Sequence, residues 1–234
     1  MNYWKDKKWY CYGTSMTSNA TSKGRIGTRL DGTSYIGKMG NYSKPLANLL
    51  GVREYNFGLG GAGIVPALHP EDNNKLRAMR LDDGKAEADL ITLEVIPNDF
   101  GYAELGSVTD VCDETFCGNL NQILEYLLRN TRAMVAVLIA TRGRYDHNDI
   151  GVKYTPCSDY VQEYIKWEMA VETVCRMHSV PCFNAAAECG LGYYRVENDN
   201  GEYLNDQVHL AQRGGEILAR YYYEKISGLY PFKD

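Results

Sequence analysis

The residues that could carry out chemistry lie near the two ends of the chain. Ser15 belongs to a short polar segment, Gly13–Thr17, that follows an apolar run, and Asp206 and His209 lie close together near the other end. A serine hydroxyl becomes a nucleophile when an imidazole removes its proton, and a carboxylate bonded to the imidazole fixes its tautomer. Such triads recur in different chain orders on unrelated folds. The residue types therefore predict acyl transfer, with Ser15 as nucleophile, His209 as general base and Asp206 as orienting carboxylate.

Both segments also have a purely structural interpretation. The serine could belong to a Ser/Thr turn that caps the next segment, and Asp206 could cap a final helix. Among the four histidines, His178 lies at the end of a predicted helix, whereas His69 and His147 lie in polar loops, where they could contact a substrate. His209 is therefore the best general base that the sequence offers.

Two further turns could stabilise a negative charge. Asn56–Gly63 has glycines spaced as G-x-G-x-x-G, but the dinucleotide-binding form of this pattern needs a helix directly after it, and Pro66 and Pro70 disfavour one. The glycines could instead present backbone N–H groups to an oxyanion, or form a structural turn. Asn98 follows another apolar run, and its amide could donate to the same oxyanion or form an Asx turn.

Alternating apolar runs and amphipathic segments predict the elements that position these turns. The predicted strands are Lys8–Tyr12, Arg53–Asn56, Leu90–Val95, Ala133–Ile139 and Pro181–Asn184. The predicted helices are Tyr42–Leu50, Thr115–Asn130, Ser158–His178 and Gln207–Ser227. Near-continuous apolar runs are typical of parallel strands covered on both faces. We therefore expect one α/β domain over residues 1–234, a flavodoxin-like three-layer α/β/α sandwich with a central parallel sheet of about five strands. The polar stretches Thr17–Asn41 and Gly192–Asn205 are predicted to be surface loops.

Composition narrows the possible partners. The chain has 234 residues, 44% of them hydrophobic, and carries 25 basic against 30 acidic residues with no basic block, so we expect no nucleic-acid partner. No apolar stretch approaches the roughly 18–20 residues of a membrane span. Met1–Lys8 lacks the apolar core of a signal peptide. We expect no membrane partner and a cytoplasmic location, or secretion if a signal sequence has been removed, and the oligomeric state stays open.

The seven cysteines show no C-x-x-C spacing. We expect reduced thiols that serve packing, although Cys112 and Cys117 could pair in an exported protein. No cluster has the spacing of zinc ligands, so no metal site is expected.

Taken in order, these turns resemble the four sequence blocks of the SGNH hydrolases, also called the GDSL esterase/lipase family. Gly13–Ser15 resembles the first block, Asn56–Gly63 the second and Asn98-Asp99 the third. Asp206 and His209 resemble the fourth block, and the resemblance covers nearly the whole chain.

The resemblance implies a serine esterase that forms an acyl-enzyme, with Ser15, Asp206 and His209 as catalytic residues. It also implies an oxyanion hole made by the backbone N–H groups of Ser15 and Gly61 and the side-chain amide of Asn98. No metal and no cofactor are implied.

Two residues depart from the family pattern. Thr14 replaces the usual aspartate of the first block, and Ile96 replaces the glycine that commonly opens the third. Neither change removes a reacting group, but the first alters the hydrogen bonds around the nucleophile and brings the rigidity of its turn into question.

We expect a small-molecule or carbohydrate ester as substrate, and specifically an acetyl group on a carbohydrate. The sequence has no long amphipathic lid of the kind that acts at lipid surfaces. Tyr193 and Tyr194, two of the 19 tyrosines, lie in a predicted loop and could stack on a sugar or simply pack. The same residues would also suit an acyltransferase, a lipase or a thioesterase, and a module of this fold could bind a glycan or a protein without catalysis.

Overall fold

The computed structural model describes residues 3–18, 25–28, 34–37, 40–80, 83–143, 153–197, 199, 201–206 and 208–230. Its strands are β1 (Lys8–Tyr12), β2 (Arg25–Thr28), β3 (Ser34–Gly37), β4 (Arg53–Asn56), β5 (Leu90–Val95), β6 (Met134–Ile139) and β7 (Cys182–Asn184). Its helices are α1 (Ser43–Leu50), α2 (Asn74–Ala78), α3 (Phe116–Asn130), α4 (Asp159–Met177), α5 (Ala185–Glu188), α6 (Tyr193–Val196) and α7 (Gln212–Ile226).

Five strands form one parallel sheet in the order β4-β1-β5-β6-β7. This is the flavodoxin-like order, in which the chain first extends the sheet to one side of β1 and then to the other. The predicted five-stranded parallel sheet is confirmed. The change of direction beside β1 leaves a crevice at the carboxyl ends of β1 and β5, where ligands bind in folds of this type.

Helices cover both faces of the sheet because its strands are apolar on both sides. All residues of β5 are buried, and they alternate between the two faces. Ile91, Leu93 and Val95 belong to the core with α3 and α4, whereas Leu90 belongs to the core with α1 and α7. The molecule is therefore a three-layer α/β/α sandwich, as expected.

Short polar side chains begin the two longest helices of one layer. The Thr115 hydroxyl accepts a hydrogen bond from Gly118 N at 3.2 Å at the start of α3, and the Ser158 hydroxyl accepts one from Val161 N at 3.3 Å at the start of α4. These caps satisfy backbone donors that have no partner within the helix, which explains why the predicted starts agree closely with the observed ones.

The last helix begins later than predicted. It starts at Gln212, not at Gln207, which lies outside the described residues, and its N-cap residue Ala211 makes no side-chain cap. Asp206 does not cap this helix, since its Oδ1 accepts hydrogen bonds from the backbone N–H groups of Val208 and His209 at 2.8 and 2.6 Å. The carboxylate thus stabilises a tight turn that competes with helix formation.

The two predicted loops contain regular structure. The first includes the antiparallel pair β2–β3, and the second includes α6; other parts of both loops, and His147, lie outside the described residues. All seven cysteines, Cys112 and Cys117 among them, have free thiols. Within the described ranges, no helix is both long and apolar enough to cross a bilayer.

Candidate active site

The candidate residues meet at the carboxyl edge of the sheet. The Ser15 Oγ lies 2.8 Å from His209 Nε2, and His209 Nδ1 lies 2.8 Å from Asp206 Oδ2. Ser15 is 9% exposed, and the imidazole is mostly buried. The structure therefore joins three residues from opposite ends of the chain in one hydrogen-bonded series.

The protonation of Asp206 determines the tautomer of His209. Burial disfavours the charged carboxylate, but the hydrogen bonds from the side chain and backbone of His209 outweigh it and lower the pKa of Asp206 to about 2. An ionised carboxylate can only accept, so Nδ1 of a neutral His209 carries the proton. Nε2 is then free to accept the hydroxyl proton of Ser15.

A buried carboxylate from β5 holds the nucleophile turn. Glu94 Oε2 accepts hydrogen bonds from the Thr14 backbone N–H at 2.7 Å, the Thr14 hydroxyl at 2.8 Å and the Thr17 hydroxyl at 3.1 Å. Gly13 allows this approach, because a Cβ there would lie 2.7 Å from the same oxygen. The turn therefore has an ordering carboxylate although position 14 is threonine. That carboxylate, Glu94, comes from the neighbouring strand and fixes the residues on both sides of Ser15.

The same burial makes Glu94 hard to ionise. Removal from water raises its pKa, the hydrogen bonds from Thr14 and Thr17 lower it, and the net result is a pKa of about 7. No sequence pattern identified this residue, although a single carboxylate within an otherwise apolar strand was a usable signal.

Three donors that the sequence assigned to an oxyanion hole border one cavity together with His209. Gly61 has φ +82°, a left-handed conformation that favours glycine. Among the described residues, none accepts a hydrogen bond from the backbone N–H of Ser15 or of Gly61. The Asn98 amide donates to Ala62 O at 3.0 Å, which leaves its second N–H for another acceptor.

Asp99 fixes the glycine-rich loop against the end of β5. Its fully buried carboxylate accepts from the backbone N–H groups of Ile64 at 2.9 Å and Val65 at 3.0 Å. Burial raises the pKa of Asp99 to about 6, although these two hydrogen bonds oppose the shift. Gly63 is required beside it, because a Cβ would lie 2.6 Å from Asp99 Oδ2. The loop that carries Gly61 is thus tied to the residue that follows Asn98.

Ile96, at the position where the family commonly has glycine, has a left-handed backbone conformation. Its φ is +90°, which is strained for a β-branched residue. Its carbonyl accepts from Asp99 N at 2.9 Å and Phe100 N at 3.0 Å, and this turn directs Asn98 to the cavity. The side chain is fully buried in the core, which offsets part of the strain.

The cavity has a volume of about 700 Å³ and an aromatic wall. The wall consists of Phe100, Tyr102, Tyr154, Tyr160 and Tyr164. The rings of Tyr154 and Tyr160 stack with centroids 3.7 Å apart and planes 7° apart, and Phe100 contacts Tyr160 and Tyr164 with centroids 4.8 Å apart. Sequence reasoning missed all five rings, since they come from three separate segments.

The tyrosines singled out in the sequence lie elsewhere. Tyr193 and Tyr194 border a second, more open cavity of about 560 Å³.

Arg142 also borders the cavity that contains Ser15, and was missed. Its Nε and Nη2 donate to the two carboxylate oxygens of Glu168, each at 2.6 Å. Because Arg142 comes just after β6, the rule that ligands bind at strand ends was the signal that could have identified it.

Neither of the other two described histidines lines this cavity, although a Cβ at Gly61 would lie 4.0 Å from His69 Nε2. His178 Nε2 lies 2.8 Å from Asn121 Oδ1, a structural contact at the end of α4, and His69 is exposed. In the described part of the chain, no group of three or more His, Cys, Asp or Glu side chains is arranged to hold a metal ion.

Comparison with known proteins agrees with this architecture. A structure of a protein from Lactobacillus plantarum is 19% identical, with 97% of this chain and 99% of that chain covered and a TM-score of 0.74. Axe2, an acetylxylan esterase from Geobacillus stearothermophilus, is 14% identical, with 98% and 97% covered and a TM-score of 0.61. A GDSL-like lipase from Bacteroides thetaiotaomicron is 16% identical, with 94% and 87% covered and a TM-score of 0.61.

Curated protein sequences yield no significant match. The family model described as GDSL-like Lipase/Acylhydrolase, however, matches residues 12–222, a range that includes every residue of the candidate site. The chain therefore belongs to the GDSL-like lipase/acylhydrolase family and is a hydrolase of ester bonds.

Proposed function

We propose that this protein is a serine esterase that removes short acyl groups, specifically O-acetyl groups, from carbohydrate. The observation that carries the proposal is the hydrogen-bonded series from Ser15 through His209 to Asp206, at a cavity bordered by N–H groups that donate to no described residue. An ionised Asp206, whose pKa is lowered to about 2, supports the proposal because it would hold His209 in the tautomer that general-base catalysis requires.

The reaction would proceed by two acyl transfers. His209 Nε2 takes the hydroxyl proton as Ser15 Oγ attacks the ester carbonyl, and the resulting imidazolium is stabilised by Asp206. The imidazolium then protonates the leaving alcohol, which departs and leaves an acyl-serine. Water, activated by the same imidazole, hydrolyses that intermediate and regenerates the serine.

The oxyanion of each tetrahedral intermediate needs donors that are already in position. The N–H groups of Ser15 and Gly61 and the second amide hydrogen of Asn98 would supply them. Each such donor typically contributes about 3–4 kcal/mol to lowering the barrier. The bonds from Glu94 to the nucleophile turn and from Asp99 to the glycine-rich loop support this role, because they limit movement of the donors.

The cavity supports a sugar ester as substrate. Its volume of about 700 Å³ is within the range of small-molecule sites. Tyrosine combines an apolar ring with a hydroxyl group, so a wall rich in tyrosine suits a sugar, which likewise presents both apolar and hydroxyl surfaces. The similar fold of an acetylxylan esterase is consistent with this substrate class.

The test is Ser15→Ala, assayed with 4-nitrophenyl acetate and with an acetylated xylo-oligosaccharide. We expect loss of turnover with both substrates and loss of labelling by a fluorophosphonate probe, with an unchanged unfolding midpoint. Ser227→Ala is the matched control, because this serine is exposed at the end of α7. Turnover by Ser15→Ala at the wild-type rate would refute the assignment of the nucleophile.

A further inference from the structure

Arg142 is held in one orientation by a buried carboxylate. Glu168 projects from the middle of α4, is 3% exposed and accepts both bonds of the guanidinium fork. Asn184 donates to Glu168 Oε2 at 3.1 Å and so orients the carboxylate in turn. The guanidinium also lies 5.9 Å from the centroid of the Tyr164 ring. This network leaves Arg142 little freedom on the cavity side.

The guanidinium keeps donors that the protein does not use. It has five N–H groups, and Glu168 accepts two, so three remain. No described side chain or carbonyl accepts a hydrogen bond from them. Beside it, the hydroxyls of Thr141 and Tyr164 are buried and also have no partner among the described residues. Both residues border the cavity, so this side has more hydrogen-bonding capacity than the described residues satisfy.

A contribution to folding stability does not explain the ion pair between Arg142 and Glu168. The cost of removing two charges from water often equals or exceeds their attraction, and apolar residues of similar size would serve the core as well. An ion pair between a buried carboxylate and a partly exposed guanidinium, at the cavity that also contains Ser15, is better explained by a ligand that uses the remaining donors.

The charge balance favours a neutral ligand. Glu168 compensates the charge of Arg142, so this pair adds no excess positive charge to the lining of the cavity that the structure describes. A guanidinium that is already paired still donates strongly to hydroxyl and ring oxygens. A carboxylate ligand at the guanidinium would be repelled by Glu168.

We infer that Arg142, oriented by Glu168, binds hydroxyl or ring oxygens of a neutral carbohydrate and so determines which alcohol half of the ester is accepted. The inference rests on the proposed esterase function and makes its substrate class more specific. Acetylated neutral sugars should be preferred to acetylated sugars that carry a uronic acid. Arg142 then selects the sugar, whereas Ser15, His209 and Asp206 carry out the chemistry.

The first experiment compares selectivity. The substrates are 4-nitrophenyl acetate, which has no sugar, an acetylated neutral xylo-oligosaccharide, and an acetylated oligosaccharide with a uronic acid. In Arg142→Met/Glu168→Met, which removes both charges together, the ratio of kcat/KM for the neutral sugar to that for the aryl ester should fall by about 10- to 100-fold, as expected for lost hydrogen bonds to a charged donor. The fall should come mainly from KM. Arg195→Met is the control, because this exposed arginine borders the second cavity.

The second variant, Glu168→Gln, keeps the guanidinium but removes its compensating charge. It should raise the preference for the uronic acid substrate over the neutral one by about 10-fold or more, since an uncompensated Arg142 attracts a carboxylate. An unchanged preference in this variant, or equal losses on sugar and aryl esters in the double variant, would overturn the inference.

Binding separates this inference from the proposed function. In a Ser15→Ala background, calorimetry with the acetylated neutral xylo-oligosaccharide should show binding that Arg142→Met/Glu168→Met weakens by about 10- to 100-fold. A wild-type protein that bound this sugar through Arg142 but hydrolysed no ester would refute the esterase and leave the sugar site standing. Hydrolysis without any dependence of sugar binding on Arg142 would refute the site and leave the esterase.

Discussion

Thr14→Asp would introduce the aspartate that usually occupies the first block of this family, and we expect it to destabilise this protein. The place for a carboxylate is already taken, because Glu94 Oε2 lies 2.8 Å from the Thr14 hydroxyl and 2.7 Å from its backbone N. Both side chains are almost completely buried, with 1% and 0% exposure. A second carboxylate would therefore be forced against the first within the core.

The magnitude follows from the spacing and from the pKa of Glu94. Two carboxylates about 4 Å apart repel each other by about 4 kcal/mol at an effective dielectric constant near 20. Burial already raises the pKa of Glu94 from 4.5 to about 7. A carboxyl group that binds its proton more tightly in the folded state stabilises that state by about 3 kcal/mol below pH 4.5. This contribution to the free energy of unfolding is lost as the pH rises through 7. The penalty of Thr14→Asp should accordingly be larger at pH 8, where both groups tend to ionise, than at pH 5.

Glu94→Gln should remove the conflict. The amide oxygen can take the position of Oε2 and accept from Thr14 N, while the amide nitrogen donates to the Thr14 hydroxyl, which can act as acceptor. The amide has no charge to bury, so this variant should lose less stability than the wild type between pH 5 and pH 8.

The assay is urea unfolding of the wild type, both single variants and Thr14→Asp/Glu94→Gln at the two pH values. At pH 8 we expect Thr14→Asp to lose about 3–5 kcal/mol and the double variant to recover at least about 2 kcal/mol, a coupling typical of residues in direct contact. Thr109→Asp, at an exposed turn, is the control for an added acidic residue. If Thr14→Asp were as stable as the wild type at pH 8, or if Glu94→Gln gave no recovery, the role assigned to Glu94 would be wrong.

Three further substitutions test the rest of the site. Asn98→Ala should lower kcat for 4-nitrophenyl acetate by about 10²–10³-fold through loss of an oxyanion donor, and an effect confined to KM would contradict that role. Gly63→Ala should reduce the free energy of unfolding in urea by about 1–3 kcal/mol, because its Cβ would displace the Asp99 carboxylate from Ile64 N; an unchanged midpoint would show that the loop adapts. Asp206→Asn should lower kcat on the order of 10⁴-fold. The ionised Asp206 contributes about 2 kcal/mol to the free energy of unfolding of the wild type above pH 3.8, and this contribution is lost as the pH falls through about 2. Asp206→Asn should lack it, and acid titration of both proteins by circular dichroism would reveal the difference.

The sheet was predictable from the sequence because its strands are buried on both faces. Met134–Ile139 is apolar at all six positions and Leu90–Val95 at four of six, so neither periodicity nor register had to be known to identify them. The pair β2–β3 was missed for the opposite reason. Its strands have four residues each and lie in a polar stretch, where a short antiparallel pair leaves little pattern.

The site was predictable only where its residues follow strands. Ser15, Gly61 and Asn98 come after β1, β4 and β5, and the rule for parallel sheets identifies such positions without knowledge of contacts. Glu168 projects from the middle of a helix and acts through Arg142, a relationship that depends on how α4 packs against β6. The aromatic wall likewise results from tertiary packing, and no spacing in the chain encodes it.

The two departures from the family pattern show why motif letters are an incomplete guide to a catalytic turn. At position 14, where the family usually has an aspartate, the N–H and hydroxyl groups of the turn find their acceptor in Glu94, from another strand. At position 96 the requirement is a left-handed backbone, and isoleucine meets it at a cost of about 1–3 kcal/mol. Complete burial of a side chain of this kind contributes about 1.5–3 kcal/mol, so the core that receives Ile96 can offset the strain. Both substitutions therefore preserve the geometry around Ser15 and Asn98 by different physical means, one electrostatic and one hydrophobic.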